Sequence, residues 1–581
     1  MKHVLSTILM FLFLIGSVSA GSVSAHENIK DTRVREYLTP QRIIYTEATK
    51  DSEIINAEAL LEKGTGQSSL YQGNPCVLKN TEEGRVSVLV DFGKEFHGGL
   101  RFVTGQTSSQ NPVAIRVRFG ESVSEAMSNI GEKGAMNDHA LRDFTMRLPW
   151  LGVAETPHSG FRFARIDLLE ANAELILNEL IGVFIYRDVP YRGSFQCNDE
   201  RLNKIWEVGA YTVHLNMQEY LWDGIKRDRL VWLGDLHPEV MTVNRVFGYN
   251  EVVPKSLDFG RDTTPLPSWM SGISAYSLWW IIIHKDWYMY HADLGYLKEQ
   301  KSYLQELLNL LLSKVDAEGK ELLDGNRFLD WPSSENQKGV DAGLHALLLM
   351  ALESGEYLCN KLGNLELAKK CLFTANKMKK HSFNPNNSKQ AAALLALSGL
   401  ESVKEMNKVI MKDGVSDFST FYGYYMLQTM AKGGYYKEAM DYIKTYWGAM
   451  LDMGATTFWE DFNMEWIKNA ARIDELVPEG KKDIHGDYGD YCYSGLRHSL
   501  CHGWASGPTS WLSEHVLGVT VLEPGCKKIE VKPNLGNLEW VQGSFPTPMG
   551  DVKIKHWKEN NEVKSKVEAP VGIIVVLVQN K

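Results

Sequence analysis

The chain has 581 residues, with 62 Lys+Arg against 72 Asp+Glu and a formal net charge of −10. A hydrophobic fraction of 44% and a charged fraction of 23% exclude intrinsic disorder, collagen-like and coiled-coil architectures. The length suggests about three or four structural units, and the acidic balance argues against a nucleic-acid partner, whose phosphates call for a basic surface. Aromatic residues are numerous (16 Trp, 24 Tyr, 21 Phe); such rings fill a large core, and they also form sites where flat faces stack on sugars.

The first segment reads as a signal peptide, residues 1–25. Lys2 supplies the positive end, Val4 to Ile15 the apolar run, and Ser19-Ala20 or Ser24-Ala25 a small-residue cleavage site. The run is short of the roughly 20 residues of a membrane span, and no cysteine follows either site to carry a lipid. An exported protein, periplasmic or extracellular and without a membrane anchor, is expected. Leu278 to Ile283 is apolar but is ended by His284, Lys285 and Asp286.

Residues 26–194 read as strands. Val86 to Asp91, Val113 to Phe119 and Phe161 to Asp167 alternate apolar and polar positions, with breaks such as Gly98-Gly99 between them. A β-sandwich of the jelly-roll kind is expected.

From 195 to 517 the period becomes helical. Leu202, Ile205, Trp206 and Ala210 make one stripe, Tyr303, Leu304, Leu307, Leu308 and Leu311 a second, and Leu344, Leu347, Leu348 and Leu352 a third. About a dozen helices without a fixed-length repeat fit a toroidal (α/α)6 barrel rather than a solenoid. Strands return in 518–581, at Ile529 to Lys532, Val552 to His556 and Ile573 to Val578, enough for a small C-terminal sandwich packed on the barrel.

Seven cysteines (Cys76, Cys197, Cys359, Cys371, Cys492, Cys501 and Cys526) are scattered and odd in number, which disfavours a zinc site or a dense disulfide framework. His237-Pro-Glu239 is too short to be a metal site by itself. No Gly-rich phosphate loop follows a strand. No metal and no cofactor are therefore expected.

The densest polar segment of the helical region is Trp222 to Asp235. It interleaves Asp223, Asp228 and Asp235 with Lys226, Arg227 and Arg229, and Gly224 and Gly234 make it a loop. By itself it is either a self-neutralising salt-bridge loop or a place where neighbouring charge tunes a carboxylate. A second segment, Met453 to Asp461, puts Glu460 at the end of a small and aromatic run, where an acid can also serve a helix start.

In these two segments the chain resembles the α-L-rhamnosidases of glycoside hydrolase family seventy-eight. Asp223-Gly-Ile-Lys-Arg-Asp228 with Val231-Trp232 and Asp235 follows that family's Asp-Cys-Pro-x-Arg-Glu/Asp loop, and Gly454 to Glu460 repeats its Gly-Ala-Thr-Thr-Ile-Trp-Glu segment with Phe458 for Ile. Asp91-Phe-Gly and Glu523-Pro-Gly are weaker echoes. The resemblance implies an inverting hydrolase in which one acid protonates the leaving glycosidic oxygen while a carboxylate across the ring activates water. It implies Asp228 as the acid and Glu460 as the base, Asp223, Arg227 and Asp235 as binders of sugar hydroxyls, Trp232, Trp279 and Trp331 as aromatic walls, and His502 as a sugar-binding histidine.

Three departures from the family stand out. Gly224-Ile225 replaces Cys-Pro, Asp228 replaces the usual Glu, and the charged segment Asp461 to Gly489 is long enough to cover a cleft. If Asp228 is not the acid, Glu239 is the nearest alternative. The other function classes are a glycosidase of different sugar specificity, a non-catalytic glycan-binding protein, and a polysaccharide lyase recruiting Tyr422, Tyr424 and Arg497.

Overall fold

The computed structural model describes residues 30–71, 73–107, 109–487, 495–560 and 562–578; the expected signal peptide and Cys492 lie outside them. The N-terminal strands are β1 (Arg33–Leu38), β2 (Arg42–Ala48), β3 (Glu53–Ile55), β4 (Cys76–Lys79), β5 (Val86–Thr104), β6 (Val113–Gly120), β7 (Asp143–Leu148), β8 (Val153–Glu155), β9 (Ser159–Leu168) and β10 (Glu174–Arg187). The long strand β5 belongs to both leaves of the sandwich. Its first half pairs with β2 and its second with β10 and β8, while β9 runs beside it from Ser87 to Gly98. The switch lies where the register slips between Asp91 and Phe96. At the neighbouring Gly98 a Cβ would stand 1.8 Å from the Val183 carbonyl oxygen, so the strands close only around a glycine. Alternation then sorts the side chains: Val86, Val88 and Val90 enter the common core with Phe96, Phe102 and Phe161. Leu89 points the other way, onto Val123 and Ala126 of a short helix α1 (Val123–Met127).

Beyond β11 (Ser194–Cys197) the described chain forms α2 (Glu200–Asn216), α3 (Leu236–Val246), α4 (Val252–Asp262), α5 (Ser274–His291), α6 (Leu294–Glu299), α7 (Lys301–Ser313), α8 (Gln337–Lys361), α9 (Leu365–Met378), α10 (Lys389–Leu397), α11 (Val403–Met411), α12 (Gly423–Lys432), α13 (Tyr436–Asp452) and α14 (Gly507–Trp511). Local chemistry starts several of them. Asp199 caps α2, Asn336 caps α8 and Ser388 caps α10, each side chain accepting a first-turn N–H. The stripes Leu304/Leu307/Leu308/Leu311 and Leu344/Leu347/Leu348/Leu352 are fully buried. Helices α3, α5, α8, α10, α12 and α14 each touch the next, and α14 closes onto α3. The remaining long helices alternate with them in sequence and pack around this ring, which completes an (α/α)6 barrel. Every residue of α3 is buried, as an inner helix requires.

The last strands are β12 (Val519–Glu523), β13 (Lys528–Val531), β14 (Trp540–Thr547), β15 (Gly550–Glu559), β16 (Glu562–Glu568) and β17 (Ile574–Leu577). They make two sheets, β11-β14-β15-β16 and β12-β13-β17. Strand β11 joins the C-terminal sheet although it precedes the barrel, a pairing across about 350 residues that no local pattern announces.

The described part of the charged segment after Glu460 does not cover the cleft as expected. Among its described residues, 461–487, none lines the cavity described below. Instead it leans on the N-terminal sandwich through His485 Nε2 to Ser122 Oγ at 2.7 Å and Lys133 to Asp483 at 3.2 Å. Other charges of the segment pair within it, Lys468 with Glu465 and Arg472 with Asp474. Among the described residues no helix is long and apolar enough to cross a membrane.

Candidate active site

The loop between α2 and α3 is held from both sides. Its backbone bridges to the stretch before α14, with Gly224 opposite His502 and the Gly503 N–H donating to the Asp223 carbonyl at 2.8 Å. On the sandwich side, Lys226 Nζ reaches Glu121 at 3.0 Å and Glu125 at 3.3 Å, and donates to the carbonyls of Leu496 and His498 at 3.2 and 2.8 Å. A buried ammonium is tolerated because its donors are used. Between these anchors Asp228 and Arg229 take left-handed conformations, φ 45° and 57°, at a cost of about 1–2 kcal/mol each. The loop keeps this shape because Asp228 is heavily bonded: Oδ1 accepts from Arg227 Nη1 at 2.6 Å and lies 3.1 Å from His139 Nε2, while Oδ2 accepts from Trp232 Nε1 at 3.0 Å.

Glu460 enters from the loop after α13. Its Oε2 accepts from Arg227 Nη2 at 2.5 Å and from the Ser499 N–H at 3.3 Å, and its carbonyl is fixed by Trp504 Nε1 at 2.7 Å. Burial pushes its carboxyl up, but Arg227 and then the imidazoles of His502 and His498 outweigh burial and hold it at about 2. Glu460 is thus a carboxylate throughout the neutral range.

A second cluster sits beside it. His502 Nε2 lies 3.2 Å from Asp235 Oδ2, and Tyr276 OH donates to Asp235 Oδ1 at 2.8 Å. Burial lowers the His502 imidazole, yet Asp235, Glu460 and Asp223 together raise it above its ordinary value. Burial raises Asp223 well above the usual carboxylate range, with no full counter-charge. Carboxyl groups in one cavity are therefore pushed apart, Glu460 down and Asp223 up, so a protonated Asp223 can donate a hydrogen bond where Glu460 can only accept.

These residues line a cavity of about 500 Å³ at the barrel mouth where α3, α5, α8 and α14 begin, a size that holds a small ligand. Of the expected residues, Asp223, Asp228, Trp232, Asp235, Trp331, Glu460 and His502 are on its wall. Two are not. Arg227 is buried behind the two carboxylates it bridges. Trp279 is a correction: it packs against His237 and Tyr425, both at 4.8 Å between ring centroids, inside the barrel. It lies one turn deeper in α5 than Tyr276, and Tyr276 supplies the wall instead. Tyr276 and Trp504 are wall residues that the sequence motifs do not mark. Their signal was spacing from the helix start, since a residue in the first turn of an inner helix, or just before it, faces the mouth.

Glu239 does not line the cavity. It is buried under Gly503, where burial and then Asp235 and Asp223 hold its carboxyl well above the ordinary range. Tyr422 and Tyr424 are buried at the start of α12 while Arg497 pairs with Asp138, so the lyase constellation does not assemble. Among the described residues no group of three or more His, Cys, Asp or Glu could hold a metal ion.

A family model described as the bacterial alpha-L-rhamnosidase 6 hairpin glycosidase domain matches residues 190–381, and one described as the bacterial alpha-L-rhamnosidase C-terminal domain matches 518–580. Over these stretches the chain is α-L-rhamnosidase-like. An alpha-L-rhamnosidase of Alteromonas sp. (strain LOR) is 24% identical over 543 residues, covering 84% of this chain and 55% of the relative. The chain thus spans about half the length of that relative. Among solved structures, a GH78 family rhamnosidase of Bacillus sp. GL1 superposes with a TM-score of 0.72 at 22% identity, over 87% of this chain and 54% of the other. A rhamnosidase from Klebsiella oxytoca with rhamnose bound gives 0.66 at 21%, over 83% and 96%. These likenesses bear on the rhamnosidase-like fold. The first family match takes in the loop of Asp223 to Asp235 with Tyr276 and Trp331, and stops before Glu460 and His502.

Proposed function

We propose that the protein is an exported glycoside hydrolase that removes a terminal α-L-rhamnosyl or closely similar residue from a plant or microbial glycan with inversion. The observation that carries the reading is the Arg227 bridge, which joins Asp228 to Glu460, 233 residues after Arg227, at one cavity. Asp228 serves as the acid toward the glycosidic oxygen. Glu460, ionised at neutral pH, takes the proton of the attacking water. Trp232, Trp331, Tyr276 and Trp504 offer ring faces for the apolar side of a deoxy sugar, while Asp223, Asp235 and His502 accept and donate to its hydroxyls. The rhamnose held by the Klebsiella oxytoca protein supports the choice of sugar. The apolar run after Lys2 supports export.

A panel of aryl glycosides followed by proton NMR tests both sugar and stereochemistry. Turnover of the α-L-rhamnoside with the opposite anomer formed first is expected. Retention would require a nucleophile about 5–5.5 Å from the acid, and binding without turnover would make the protein a glycan-binding module.

A further inference from the structure

We infer that Asp330 is a positioning residue for sugar binding: its carboxylate fixes the turn that carries Trp331 and ties that turn to the segment ahead of α12 that supports Glu460. This rests on the glycosidase reading above. Asp330 is 1% exposed and opens the short 3₁₀ turn Trp331–Ser333 at the cavity wall. Its Oδ1 accepts from the Trp331 N–H at 2.9 Å, and its carbonyl accepts from the Ser333 N–H and hydroxyl, both at 3.2 Å. Its Oδ2 accepts from the Ser419 hydroxyl, with Gln390 Nε2 of α10 at 3.4 Å.

From Ser419 the connection reaches the base. Thr420 donates to the Glu460 carbonyl at 2.5 Å. Phe421 stacks on the wall residue Trp504, ring centroids 4.6 Å apart, and Trp504 Nε1 donates to that same carbonyl. One buried carboxylate thus links the turns that present Trp331, Trp504 and Glu460. Its partners are neutral donors. Burial pushes the Asp330 carboxyl up to about 6, although Ser419, Gln390 and the amides of Trp331 and Tyr422 pull it down. A proton on Oδ2 makes that oxygen a donor toward Ser419, whose own oxygen already accepts from the Tyr422 N–H at 3.1 Å, and loosens the link between the turns. The groups facing Asp330 are Ser419 and Tyr422 ahead of α12, Gln390 of α10 and the Trp331 amide. Tyr422 is the titratable one, its phenol raised by burial and then by the Asp330 charge. Lys389, beside Gln390, turns its ammonium to the carbonyls of Lys412 and Gly414.

Two measurements test this. First, tryptophan fluorescence is followed against pH in wild type, Trp331→Phe, Asp330→Asn and Ser419→Ala. The component lost in Trp331→Phe should change with a midpoint at about 6 in wild type and stay flat in Asp330→Asn. In Ser419→Ala, which lacks a hydroxyl that favours the ionised form, the midpoint should move to higher pH. No such change in wild type, or an unmoved midpoint in Ser419→Ala, overturns the inference whether or not the protein turns sugar over. Ser419→Ala decides the matter if Asp330→Asn fails to fold. Second, KM for an aryl α-L-rhamnoside should rise about 2- to 10-fold as pH falls through that midpoint, the weight of one ring contact. The change in kcat should be smaller, because Arg227 and the Ser499 N–H still hold the Glu460 carboxylate. Asp330→Asn should carry the raised KM at neutral pH and lose its pH dependence. A lowered melting temperature with KM as in wild type would reduce Asp330 to a structural contact and overturn the inference. A wild type inactive on every glycoside would instead sink the glycosidase reading, leaving the fluorescence to decide Asp330.

Discussion

Arg227 and Glu460 meet at 2.5 Å between Nη2 and Oε2, and both side chains are buried. Breaking a buried pair by removing one partner costs about 3–5 kcal/mol, because the remaining charge has no counterpart. Arg227→Met should therefore lower the unfolding free energy by about that amount. The sign of its pH dependence follows from the Glu460 carboxyl, which sits at about 2 in the fold against about 4.3 in the unfolded chain. A depressed carboxyl stabilises above the unfolded value and loses that contribution as pH falls toward the folded one. The gap between wild type and Arg227→Met should thus shrink from about pH 4.3 toward pH 2, as read by urea denaturation. In kcat/KM the acid limb of the variant should move to higher pH. A limb that stays in place would mean that Arg227 does not keep Glu460 ionised.

Asp228 and Glu460 share one guanidinium but differ in task, and substitution separates them. Asp228→Asn should slow substrates with poor leaving groups by about 10²–10⁴-fold and activated aryl glycosides far less, since an activated aglycone departs with little protonation. Glu460→Gln should slow both by a similar factor, because water must be activated whichever aglycone leaves. The slopes of log kcat against leaving-group pKa provide the check. Parallel slopes for Asp228→Asn and wild type would place the acid elsewhere.

Much of this site was legible in the sequence because it rests on short contiguous segments, Asp223 to Asp235 and Gly454 to Glu460, whose residue types stay together wherever the fold puts them. The helical stripes of Leu304 to Leu311 and Leu344 to Leu352 were legible for the same reason: the period is local. What escaped was set by contacts distant in sequence. Strand β11 pairs with β14, Lys226 is held by Glu121 and Glu125, and His139 reaches Asp228. Trp279 was misplaced because composition marks an aromatic residue without saying which turn of its helix meets the cavity. Only the position of the α5 start, after Ile273, decides that Tyr276 faces the sugar site and Trp279 the core.

That placement predicts a contrast. Trp279 is 1% exposed and packed against the rings of His237 and Tyr425, so Trp279→Ala should cost about 3–5 kcal/mol of stability. Trp331→Ala, at the cavity wall, should leave the melting temperature within a few degrees and raise KM. Measuring both constants and melting curves for the pair distinguishes core from wall; a raised KM with unaltered stability in Trp279→Ala would return it to the sugar site.

Glu239 gives the opposite pH signature from Glu460. Neither of its carboxyl oxygens has a hydrogen-bond partner among the described residues, and a Cβ at Gly503 would fall 2.2 Å from its carboxyl carbon. Burial, then Asp235 and Asp223, raises the group well above its ordinary value, so it is held protonated where the unfolded chain ionises. A raised carboxyl stabilises fully below the unfolded value and loses that contribution as pH rises toward the folded one. Glu239→Gln keeps the shape and removes the titration. Its stability relative to wild type should therefore be constant below about pH 4 and then improve by up to about 1.4 kcal/mol per pH unit as pH rises. Urea denaturation of both proteins from pH 4 to about pH 8 would show diverging curves. Parallel curves would mean that Glu239 ionises in the fold as readily as outside it, and a leaving-group slope altered in Glu239→Gln as in Asp228→Asn would make Glu239 part of the proton supply.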